Sequence, residues 1–123
     1  MIRREAASTI RALDAELAKT GDFIKLARLR DASNGQAEPF YCEKIPARVK
    51  LVQPQEIVLN LPDSVVIISP SRLAARQWPA PPRKDDRVFI TKADGQELTG
   101  TVESVVEHRV QGTCVRYELT AKT

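Results

Sequence analysis

The residues able to do chemistry are few and stand apart. One histidine, His108, lies in the run Val105-Val106-Glu107-His108-Arg109, and the only thiols are Cys42 and Cys114. A histidine can serve as a general base when a nucleophile and an orienting acid surround it, but no spacing here assembles such a set. A lone strand histidine is read as structural. Two cysteines make no disulfide framework and lack the multi-ligand spacing of a zinc site. They read as small reduced residues in a protein made in a reducing cytosol. The phosphate loop, dinucleotide fingerprint, HExxH and GxSxG strings are all missing. The carboxylates sit among basic neighbours, as on a solvated surface. The expectation is no enzyme, no catalytic, cofactor-binding or metal-ligating residue, and no cofactor.

The elements that must carry any function come from a chain of 123 residues, 42% hydrophobic and 28% charged, which fits one small globular domain. Lysine and arginine total 19 against 16 acidic residues, a net charge of +3. That balance permits contact with nucleic acid without demanding it. The surplus lies early: residues 1–30 hold seven basic and four acidic side chains. Six aromatics are spread along the chain, and no basic strip interleaved with aromatics is visible. An RNA-binding sheet is therefore not expected. No apolar run is long enough to span a membrane, and the start, Met1-Ile2-Arg3-Arg4-Glu5, lacks the apolar stretch of a secretion signal.

Periodicity predicts a helix over 2–20, with Ala6, Ile10, Leu13 and Leu17 on one stripe and Gly21 as its stop. Strands follow over 22–30 and 40–51, the second interrupted or at an edge at Pro46. Residues 53–62 are apolar in the middle and bounded by proline. They read either as a short buried strand or as a projecting loop. Val65-Val66-Ile67-Ile68 reads as a strand buried on both faces. Ser69-Pro70 opens a short helix, with serine as N-cap and proline at the first helical position. Trp78-Pro79-Ala80-Pro81-Pro82 is a stiff connector. Strands over 87–91, 98–110 and 113–121 complete the chain, with hairpin turns at Asp94-Gly95 and Gln111-Gly112. Leu98, Val102, Val106 and Val110 are expected on one face of the long strand. Val115, Tyr117, Leu119 and Ala121 point inward from the last. The expected fold is mainly β: a small antiparallel barrel or sandwich with an N-terminal helix (1–21), one short inserted helix, and a single barrel domain over 22–123.

The order of pieces in the second half resembles a family of neck proteins from long-tailed bacteriophages, the head–tail connector proteins known as stoppers or head-completion proteins. The likeness runs through Asp63-Ser64-Val65-Val66-Ile67-Ile68-Ser69-Pro70-Ser71 into Leu73, Ala74 and Ala75. It continues through Trp78-Pro79-Ala80-Pro81-Pro82-Arg83-Lys84-Asp85-Asp86-Arg87-Val88, then Thr101-Val102-Glu103-Ser104-Val105 and Val115-Arg116-Tyr117-Glu118-Leu119. It covers about half the chain. The family pattern has glycine where this chain has Asp85, in a turn that prefers positive φ. The loop Thr91–Leu98 looks like an insertion.

The resemblance implies a small β-barrel that assembles into a homo-oligomeric ring, a hexamer or dodecamer, below the portal and its adaptor. Such a ring helps retain packaged double-stranded DNA and docks the tail terminator or tail tube. It would reside in the virion neck after synthesis in the bacterial host cytoplasm. A loop projecting into the channel would be residues 53–62, with Ile57, Val58, Leu59, Asn60 and Leu61 at its tip. A ring uses heterologous contacts, for which preordered segments are suited. Trp78, Pro79, Pro81 and Pro82 are the expected interface residues, with Trp78 as anchor. The competing readings are a tail terminator or adaptor of the same neck, or a cellular small β-barrel module that binds nucleic acid or a peptide.

Overall fold

A computed structural model describes residues 4–31, 37–51, 64–75, 78 and 81–122, without the side chains of 29–31, 37–41 and 43. The first helix, α1 (Arg4–Leu17), buries Ala6, Ile10 and Leu17. It is followed by a turn over Ala18–Thr20, with Thr20 N–H donating to the Leu17 carbonyl at 3.3 Å. Gly21 then takes φ +75°, and a Cβ there would lie 2.9 Å from the Ala93 Cβ, so glycine is required both for the turn and for the close approach.

Six strands follow: β1 (Asp22–Asp31), β2 (Ala37–Leu51), β3 (Ser64–Ile68), β4 (Arg87–Thr91), β5 (Glu97–Val110) and β6 (Thr113–Lys122), with the helix α2 (Pro70–Ala75) between β3 and β4. They close into a barrel in the order β1-β2-β3-β6-β5-β4, every neighbouring pair antiparallel, with β4 bonded back to β1. Of the expected antiparallel barrel or sandwich, the chain forms the barrel, with its N-terminal and inserted helices. Closure leaves no free sheet edge where all six strands overlap. The core gathers Leu26, Ile45, Val66, Ile68, Val88, Val102 and Leu119 from all six strands.

Two expected side-chain patterns differ in the structure. β3 alternates buried and half-buried rather than being buried on both faces. Val66 and Ile68 face the core, and Val65 and Ile67 are half-buried on the other face. In β5 the register slips between Val102 and Ser104. This bulge inserts one residue and exchanges the faces beyond it. Val102 is therefore 1% exposed, whereas Val106 is 50% exposed and Val105 turns toward the core. In β6 the inward set is as expected, with Val115, Tyr117, Leu119 and Ala121 all buried.

Two hairpins outrun the barrel at its Arg87 end. β1 meets β4 only over Phe23–Ala27 but continues with β2 to Asp31. β5 meets β4 only over Glu97–Thr101 but continues with β6 to Val110. On one side α1 packs over β6, burying Ala6 and Ile10 against Val115. Ser69 Oγ accepts the Ser71 N–H at 3.4 Å as N-cap, and Ser71 Oγ donates to Asp14 at 2.7 Å, joining α2 to α1. On the other side the connector ahead of β4 fills the space between the hairpins.

Candidate functional site

The connector is held by a buried ion pair. Arg28 on β1 and Asp86 at the start of β4 are 8% and 2% exposed. Arg28 Nε donates to Asp86 Oδ1 and Nη2 to Oδ2, both at 2.7 Å, a bidentate arrangement. Nη2 also donates to the Pro81 carbonyl at 3.0 Å, and the Arg83 N–H donates to Asp86 Oδ2 at 2.9 Å. The guanidinium lies 4.8 Å from the centre of the Trp78 ring. The Trp78 backbone N–H donates to the Leu73 carbonyl at 3.0 Å, tying the connector to α2. Asp85 N–H donates to the Val102 carbonyl and Val102 N–H to the Asp86 carbonyl, at 2.9 and 2.8 Å.

Trp78 thus lies in the core of its own subunit, 7% exposed. Its ring is covered by Arg28. Pro82 is buried and Pro81 exposed, so of the described connector prolines only Pro81 presents a surface. Pro79 and the loop residues Ile57, Val58, Leu59, Asn60 and Leu61 lie outside the described residues. Asp85 takes φ +76°, the left-handed conformation that glycine adopts freely. Asp85→Gly is expected to raise stability by about 0.5–1 kcal/mol, measured by urea denaturation, because it removes the Cβ strain of that conformation.

His108 is half-buried on the β5–β6 hairpin. Its Nε2 lies 3.0 Å from Glu118 Oε2, and Arg116 Nη2 lies 3.3 Å from both ring nitrogens. These hydrogen-bond partners are an acid and a cation, with no hydroxyl or thiol among them. Among the described residues, no group of three or more histidines, cysteines and acids is placed to hold a metal ion. Burial, aided by nearby Cys114, pushes the Tyr117 phenol up to about 12. That ring carries no charge at neutral pH.

The barrel also creates a surface that the linear sequence hides. Phe23 and Lys25 on β1 stand beside Phe89 on β4, and the Lys25 ammonium lies 4.6 Å from the Phe89 ring centre. Lys44 joins them from a bulge in β2, where it takes φ +53°. Phe23 is 42% exposed. These residues come from three strands, which is why no aromatic-interleaved basic strip shows in the sequence. The available signal was the alternation of β1, which puts Phe23 and Lys25 on one face.

Comparison with protein-family models, with curated proteins and with solved structures found no match.

Proposed function

We propose that this chain is a ring-forming neck protein of a long-tailed phage, a stopper or head-completion protein that helps retain packaged DNA and docks the tail. One observation carries the reading. The string on which the resemblance rests falls on consecutive working parts of one unit: β3, the Ser69-capped α2, the connector with its buried Trp78, β4, and the β5–β6 hairpin. The glycine position of the family pattern coincides with the positive φ at Asp85. The adaptor of the same neck fits less well, because α1 and α2 are the only helices among the described residues.

Electron microscopy of the purified protein mixed with portal–adaptor complex tests the proposal. Added ring density below the adaptor is expected, and its absence at saturating protein overturns the reading. Deleting residues 55–61 is expected to leave a folded, ring-forming protein whose particles fail to retain DNA. Loss of the circular-dichroism signal on deletion would instead assign that segment to the barrel.

A cellular binding module is the second reading, favoured by the Phe23, Lys25, Lys44 and Phe89 surface. It calls for a stable monomer whose affinity for single-stranded DNA falls steeply with salt.

A further inference from the structure

We infer that the groove over β1, β4 and the bulge of β2 binds single-stranded nucleic acid, with a base stacked on Phe23 and the adjoining phosphate held by Lys44. This deepens the second reading above, on which it rests, by naming the ligand and the residues that hold it.

The groove joins two hollows. One, of about 340 Å³, lies over β1, β4 and β5 and has Phe23, Lys25, Lys44, Phe89 and Glu97 in its walls. The other, of about 320 Å³, lies between the bulge and α2 and is walled in part by Phe23, Lys44 and Arg72. Phe23 and Lys44 belong to both. Among the described side chains that line the two, three are cations and one, Glu97, is an acid. Asp14, 3.9 Å from Arg72, offsets part of the charge at the α2 end. The positive end that matters is therefore the bulge.

Lys44 reaches the groove because β2 carries an extra residue. Ile24 pairs with Ile45 and Leu26 with Cys42, so residues 43 and 44 both stand opposite Lys25. A bulge of this kind turns a side chain out of the regular alternation. Lys44 takes φ +53°, a left-handed conformation that glycine adopts freely and lysine rarely does. Strain of this sort persists where the surroundings fix the aim of a side chain. Here the aimed lysine is exposed and shares both hollows with an exposed ring.

Of the described aromatic side chains Phe23 alone is exposed, at 42%. Phe89 is no second platform, because the Lys25 ammonium lies 4.6 Å from its ring centre. It orders Lys25 instead. An open ring beside ammonium groups matches a nucleotide, whose base offers a π-face and whose phosphate is an anion. In a duplex the base faces are already stacked on one another, so a single strand is the form that fits. An acidic peptide would satisfy the lysines and leave the ring in water.

Fluorescence anisotropy of a labelled oligothymidine of about twelve nucleotides, titrated with the full chain across a range of salt, is the test. Binding that weakens as salt rises is expected. Phe23→Ala should weaken it about tenfold and leave the salt slope unchanged, whereas Phe23→Trp should retain it. Lys44→Gly removes the cation and the backbone strain together. It should unfold at a higher urea concentration than the wild type, yet bind more weakly and with a salt slope shallower by about 0.7. A lysine of structural importance alone would change the unfolding and not the affinity. Absence of binding at low salt overturns the inference, as do affinities indifferent to both Phe23→Ala and Lys44→Gly, or a duplex of equal length bound as tightly. A folded monomer that ignores the oligomer and binds polyglutamate overturns it too, and leaves the binding module standing. Rings in place of a monomer overturn the module, and the same titration on those rings still decides the groove.

Discussion

Asp86→Ala is expected to cost about 3–5 kcal/mol, because it leaves the Arg28 guanidinium buried without its counter-charge. The same change removes the acceptor of the Arg83 N–H, which Asp86 Oδ2 holds at 2.9 Å. Chemical denaturation should show the loss as a lowered midpoint with little change in slope. The double variant Arg28→Met/Asp86→Leu should recover part of it. Burying apolar groups of similar size costs less than stranding a charge. Full recovery is not expected, since Arg28 also binds the Pro81 carbonyl. A wild-type midpoint for Asp86→Ala would mean that the connector is not held by this pair.

Trp78→Ala is expected to destabilise the isolated subunit by about 3–5 kcal/mol, the usual cost of emptying a large aromatic site. Its ring belongs to the barrel core and underlies Arg28, so loss of stability should precede any loss of assembly. From the sequence, the same substitution is expected to leave a folded subunit unable to assemble. Thermal unfolding followed by circular dichroism separates the two outcomes. An unchanged transition with lost assembly would make Trp78 an interface anchor after all. The two substitutions should couple strongly in a double-mutant cycle, because both act on the Arg28 side chain.

The strands were legible because β4 and β6 alternate cleanly, and because Gly21, Ser69-Pro70 and Gln111-Gly112 mark ends with identifiable turn chemistry. The face of Val106 was not legible. A bulge adds a residue without any glycine or proline to announce it, so period-two counting carries past Val102 to the wrong side. The partnership of Arg28 with Asp86 was equally hidden. It joins positions far apart in sequence, and each looks alone like an ordinary surface charge. Of the Phe23, Lys25, Lys44 and Phe89 surface only the β1 part, Phe23 and Lys25 on one face, was legible, since three separate strands build the whole. For Trp78 the sequence left two readings open, an interface anchor and a residue packed on its own barrel, because a tryptophan amid prolines suits a docking segment as well as a plug.

The seam between β1 and β4 bears on how the chain is made. Phe23 pairs with Thr91 and Ala27 with Arg87, so the first strand to leave the ribosome must wait for the fourth before its second edge is satisfied. During that interval the nascent β1–β2 hairpin has only local partners, and closure comes late, as expected for a topology rich in distant pairings. Shielding of that early hairpin, by a chaperone or by slow synthesis, would then govern yield in the cell more than the stability of the finished barrel.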